Sequence, residues 1–240
     1  MAHNLSLYWR CEAASLDPTD DFTLGDNLAQ ANGGVSFSAT AMRIGTNGIL
    51  TVNASDWYEF APASIFTTAG GSFGAWMQYK TAVFDGNQAG PVAFRNTALS
   101  ADVIAFAANA TGDPGLFLQR NGGSSLTLTA AAGNMVVDTW YFLVGRVDFA
   151  NNKRKIEIYN TAGTLIDSNE DLVTSLAGVQ LTAMDEIRIG TPSTNANPIW
   201  VDNVFISQNY DEPIQDYMFI TSITELVEVE ATPLMGQIMM

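Results

Sequence analysis

Between Trp140 and Ile206 the chain is written as short runs separated by turn residues. Trp140-Tyr-Phe-Leu-Val-Gly-Arg-Val-Asp-Phe149 is followed, across Asn151 and Asn152, by Lys155-Ile-Glu-Ile-Tyr-Asn160. Asp185-Glu-Ile-Arg-Ile-Gly190 and Ile199-Trp-Val-Asp-Asn-Val-Phe-Ile206 come next. Each run alternates apolar and polar residues or is nearly all apolar, and Gly, Asn, Asp or Pro bounds it. Alternation marks a strand with one buried face, and a short apolar run marks a strand buried on both. Strands of this kind stabilise one another by stacking as two antiparallel sheets. The same pattern runs upstream, with strands expected over residues 5–12, 35–37, 41–44, 49–52, 57–60, 75–79, 91–94, 103–107, 115–119 and 126–130. Asn47-Gly48, Asp113-Pro114-Gly115 and Asn121-Gly122-Gly123 supply turns between them. A short helical segment is expected from Glu212 to Phe219, after Pro213.

No linker interrupts these signals, so the 240 residues read as one large β domain followed by a tail. Apolar residues make up 47% of the chain, enough for a sizeable core. The formal net charge is −15, which disfavours nucleic acid and anionic lipid as partners. The single cysteine, Cys11, excludes an internal disulfide and reads as a small core residue on the strand face of Leu5, Leu7 and Trp9. No apolar run is long enough to span a membrane. Met1-Ala-His-Asn4 lacks the basic and apolar regions of an export signal, so synthesis and folding in the cytoplasm are expected.

Candidate chemistry is sparse. His3 is the only histidine, so neither a serine triad nor a histidine metal cluster is available. No phosphate-binding loop or dinucleotide fingerprint occurs. A retaining glycosidase needs two carboxylates about 5–5.5 Å apart on one face. Asp167, Glu170 and Asp171 fall in an expected loop, and Asp185 and Glu186 point to opposite faces of a strand. Calcium ligands could come from Asp17, Asp20, Asp21 and Asp26, or from Asp167, Asn169 and Asp171. Neither stretch has the spacing of a helix-loop-helix calcium site. The chain is therefore expected to be no enzyme, with no catalytic residue, no bound metal and no cofactor. Alternation puts Asp202 on the face of Val204 and Ile206, with a structural role. Trp57, Tyr58 and Trp200 lie at strand ends near loops and are the candidate carbohydrate-binding residues. Trp9, Trp76 and Trp140 lie within strands and read as core.

Several motifs carry a family resemblance in their order. They are Leu7-Tyr8-Trp9 before Glu12, the loop from Asp20 to Gly25, Ala41-Met-Arg-Ile44 and Trp57-Tyr-Glu-Phe60. Gly71-Ser-Phe-Gly-Ala-Trp76, Asp138-Thr-Trp-Tyr141, Ile156-Glu-Ile-Tyr159 with Asn160 and Gly163, and Val201-Asp-Asn-Val204 follow. Together they resemble the concanavalin A-like jelly roll of the laminin-G type over residues 5–219. The resemblance implies an all-β, antiparallel two-sheet β-sandwich over residues 1–219, with a C-terminal extension over 220–240. It also implies that Asp202 fastens a loop through backbone hydrogen bonds.

Such modules usually work outside cells, whereas this chain shows no export signal. A phage virion reconciles the two, since its proteins fold in the host cytoplasm and leave by assembly and lysis. The leading expectation is a non-enzymatic virion structural protein, a capsid decoration or cement protein of a bacteriophage. Its partners would be the major capsid protein or tail proteins, as a homo-oligomer on assembly, without nucleic acid or membrane. The extension carries three methionines in its last six residues. Its apolar residues Val227, Val229, Leu234, Met235, Ile238, Met239 and Met240 are the expected subunit-docking element. The alternative is a lectin-like carbohydrate-binding module, free or on a phage tail, with glycans as partners. A glycan hydrolase or lyase comes third.

Overall fold

The computed structural model describes residues 5–13, 22–23, 30–52, 56–60, 69–80, 88–98, 101–108, 112–120, 123–130, 135–179, 184–191 and 198–219. The elements in chain order are β1 (Leu5–Trp9), β2 (Phe22–Thr23), β3 (Gln30–Asn32), β4 (Ser36–Ser38), β5 (Gly48–Leu50), β6 (Asp56–Phe60), β7 (Gly70–Tyr79) and β8 (Gln88–Asn96). They continue with β9 (Ala101–Ala108), β10 (Pro114–Gln119), β11 (Ser125–Thr129), β12 (Trp140–Asp148), β13 (Lys153–Tyr159), β14 (Leu165–Asp171), β15 (Glu186–Thr191), β16 (Ile199–Ser207) and the single-turn helix α1 (Gln215–Met218).

Every strand pair among the described residues is antiparallel. One sheet has nine strands, in the order β14-β13-β12-β7-β16-β1-β2, with β5 also on β16 and β4 on β5. The other has seven, in the order β11-β10-β9-β8-β15-β6-β3. This is the expected all-β, two-sheet sandwich. Its main core lies between the sheets. The nine-stranded sheet sends in Leu7, Trp9, Phe73, Leu143, Ile156, Val201 and Ile206, and the seven-stranded sheet sends in Tyr58, Phe94, Phe106, Leu116 and Ile189. Phe73 packs edge-on against Phe94 at 5.0 Å between centroids and tilts against Phe106 at 4.8 Å. Offset and edge contacts of this kind suit the charge distribution of aromatic rings.

A second apolar cluster covers the outer side of the nine-stranded sheet. Leu5, Tyr8, Trp76, Phe142, Val144, Tyr159 and Phe205 meet Ile214, Tyr217 and Met218 there. Strands β7, β12 and β16 are therefore buried on both faces, which is why their sequences read as near-continuous apolar runs.

Four local features differ from the expected strand pattern. A register irregularity between Leu5 and Leu7 turns Leu5 outward beside Tyr8, while Leu7, Trp9 and Cys11 stay inside. A bulge between Asp202 and Phe205 holds Asn203 at φ 44°. It puts Asp202 on the outer side, opposite Val204 and Ile206, because one extra residue inverts the parity of those beyond it. Residues 39–41 form a 3-10 turn and 42–47 a loop, where a strand was expected. Asp167, Glu170 and Asp171 lie on edge strand β14, not in a loop, paired to β13 in the same sheet. The docking residues Val227, Val229, Leu234, Met235, Ile238, Met239 and Met240 lie outside the described residues, as do Asp17, Asp20, Asp21 and Asp26.

Candidate functional site

The outer face of the nine-stranded sheet has two halves with different chemistry. Over one half, residues 208–219 form a strap held down at several points. Tyr217 stacks on Phe205 at 4.8 Å and 16°. The Trp76 indole donates to the Met218 carbonyl at 2.6 Å. Arg146 donates through Nη1 to the Tyr210 and Glu212 carbonyls at 2.5 and 3.1 Å, and through Nε to Glu157 at 2.6 Å. Glu212 is buried and accepts from the Ser207 hydroxyl at 2.7 Å and from the Tyr217 hydroxyl. Burial works against the charge on Glu157, but Arg146 and Lys155 together hold its carboxyl below the usual range.

Beside the strap, two carboxylates pin the loop 42–47. Asp202 accepts from the Arg43 and Ile44 backbone amides at 2.7 Å each and from Asn203 at 2.8 Å. Burial pushes the Asp202 carboxyl up to about 8, against the pull of those amide donors. Glu12 accepts from the Thr46 amide, the Thr46 hydroxyl and the Asn47 amide at 2.8, 2.6 and 2.8 Å. The loop in turn carries Arg43 over the Trp76 ring, 4.6 Å from its centroid. Asp202 thus works as a loop anchor, and Trp76 is covered from above.

At the other end of the same face lies an aromatic pair. Trp140 on β12 and Trp200 on β16 are both cross-strand neighbours of Gln78 on β7, one from each side. All three share the outer face, and the two indoles converge to 6.5 Å at a tilt of 46°. Both are partly exposed, while Gln78 beneath them is 5% exposed. Lys80, the first residue past the end of β7, places its ammonium 3.7 Å over the Trp200 ring. It also contacts Gln78 Oε1 at 3.3 Å and forms an ion pair with Asp138. The patch therefore sets two partly exposed rings, an ammonium and a carboxylate side by side over a buried amide. In small-molecule sites a few placed polar groups beside apolar rings fix the ligand's orientation.

The expected carbohydrate-binding set does not assemble. Tyr58 is a core residue, buried between Trp9 and Phe37, because β6 turns it inward opposite Ile189. Trp57 is its neighbour in sequence and so lies on the outside of the seven-stranded sheet, across the sandwich from Trp200. Its ring carries Arg188 at 3.9 Å, much as Trp200 carries Lys80, and its indole donates to Glu59 at 3.1 Å. Of the three, Trp200 alone lies on this outer face, and its ring partner there is Trp140, which the sequence placed in the core. No sequence signal separates Trp140 from the buried residues that follow it. The signal is the register, which aligns both tryptophans on Gln78. Among the described residues no group of three His, Cys, Asp or Glu is placed to hold a metal. Asn169 instead donates to the Thr129 carbonyl at 2.7 Å, and Asp171 pairs with Arg154 at 2.8 Å.

No family model and no curated protein matches the sequence. Solved structures do match the fold. One is the botulinum neurotoxin serotype D ligand-binding domain in complex with N-acetylneuraminic acid, at a TM-score of 0.64 and 13% identity, covering 87% of this chain and 48% of that one. Another is the binding domain of botulinum neurotoxin DC in complex with rat synaptotagmin II, at 0.63 and 12%, covering 87% and 49%. A third is the same toxin's binding domain in complex with SialylT, at 0.58 and 15%, covering 88% and 48%. The chain spans about half the length of these structures. At such identities the likeness establishes the β-sandwich fold.

Proposed function

We infer that this protein is a non-enzymatic binding module that takes glycans, with Trp140 and Trp200 as its stacking platform. The observation that carries this is the convergence of two partly exposed indoles over Gln78, beside Lys80 and Asp138. A sugar presents a C–H face to an aromatic ring and hydroxyls to charged groups, and this patch offers both through its indoles and the exposed Lys80–Asp138 pair. The fold neighbours support the reading, since these binding domains are seen in complex with N-acetylneuraminic acid, with SialylT and with rat synaptotagmin II. None of these three is a virion protein, so they lend the capsid-decoration reading no comparable support.

The test is a glycan array followed by titration calorimetry on each hit. Binding is expected, and Trp200→Ala and Trp140→Ala should each weaken it at least tenfold, while Trp57→Ala leaves it within twofold. Binding that survives both platform substitutions overturns the site. Absence of any glycan binding overturns the function.

A further inference from the structure

Resting on the Trp140–Trp200 platform, we propose that its ligand is a carboxylated sugar, whose carboxylate takes the place of Asp138 on Lys80. The argument begins with the ammonium. Lysine has three donors. Among the described residues two are met, by Gln78 and Asp138. The third is available to an acceptor arriving over the rings. The Trp200 face holds the ammonium in position at 3.7 Å, so it stays in place when its carboxylate partner changes.

Asp138 is built to be exchanged. Its side chain is 64% exposed, whereas the carboxylates of the other ion pairs between described residues are 6–13% exposed. Releasing it leaves a solvated charge rather than a buried one. Its backbone stands at φ 61°, the left-handed region that non-glycine residues seldom adopt. A hydrogen bond from its amide to the Tyr79 carbonyl at 2.9 Å keeps the turn in place without the side-chain contact. A sugar carboxylate that meets Lys80 brings its ring over the indoles, which Asp138 cannot do. The net charge of −15 repels anions at a distance. At physiological salt that field is screened beyond about 8 Å, so an arriving carboxylate feels chiefly the groups it touches.

The experiment compares matched ligands by titration calorimetry on the full chain. They are the methyl glycosides of N-acetylneuraminic acid and of glucuronic acid, each beside its carboxyl methyl ester. The acid form of at least one is expected to bind at least fivefold tighter than its ester. Lys80→Met should bring that ratio close to one, and Lys80→Arg should restore it. Asp138→Asn should tighten the acid by about two- to fivefold, the range expected on removing a competing exposed ion pair. Equal binding of acid and ester, sensitive to Trp200→Ala, overturns the inference and leaves the platform standing. An acid preference that persists in Lys80→Met overturns it too, by placing the cation elsewhere. No binding of acid, ester or any neutral glycan overturns both readings.

Discussion

Replacing Tyr217 by alanine tests whether the outer cluster belongs to the folded unit. Tyr217 is fully buried, stacked on Phe205 at 4.8 Å and 6.3 Å from the Tyr8 ring. Removing a buried aromatic side chain costs about 3–5 kcal/mol, through lost transfer energy and the cavity left behind. The hydroxyl adds a separate contribution, because it donates to Glu212, which is 1% exposed. A buried carboxylate that loses a donor costs about 1–3 kcal/mol. Tyr217→Phe isolates that second part and should cost about 1–3 kcal/mol by itself. Equilibrium urea unfolding, followed by both far-UV circular dichroism and tryptophan fluorescence, measures the two variants. Both probes should shift together, since Trp76 donates to Met218 and so reports on the strap. A loss below about 1 kcal/mol for Tyr217→Ala, or a fluorescence change without loss of sheet stability, would show that the strap is peripheral to the sandwich.

Other outcomes are open to the same instruments. Glu157 has a depressed folded carboxyl, so its stabilising effect is full above the unfolded value near 4.3 and fades as pH falls through the folded one. Stability measured from pH 6 to pH 3 should therefore fall less steeply in Glu157→Gln than in the native chain. Asp202→Ala frees the Arg43 and Ile44 amides, and their hydrogen exchange should accelerate at least tenfold while the β12 amides keep their protection. Unchanged exchange would show that Asp202 does not anchor the loop. Gly74 lies where an added Cβ would stand 2.3 Å from the Leu143 carbonyl oxygen and 2.7 Å from the Phe205 ring. Gly74→Ala should cost about 1–3 kcal/mol in urea unfolding, as overpacking does.

The sandwich was legible in the chain because strand periodicity is a local property. Runs such as residues 140–149 and 199–206 carry their burial in the residues themselves, and β12 and β16 form where those runs stand. The same runs concealed the outer cluster. A strand covered on one side by a sheet and on the other by a strap is apolar throughout, so it gives no hint of which tryptophan faces out. Trp140 and Phe142 share a face, yet only the position of the strap leaves one partly exposed and the other buried.

The sequence alone determined that these residues make an antiparallel two-sheet sandwich with neither histidine chemistry nor a phosphate loop. The tertiary structure decided everything that depends on parity and register. The irregularities at Leu5–Leu7 and Asp202–Phe205 reversed the faces of Leu5 and Asp202, and alternation carries no record of an inserted residue. Pairing across β12, β7 and β16 brought Trp140 and Trp200 together over Gln78 from positions sixty residues apart, while the adjacent Trp57 and Tyr58 went to opposite sides of a sheet. Neighbours along a strand diverge and neighbours across strands converge, so a surface patch is a property of the sheet and not of any segment within it.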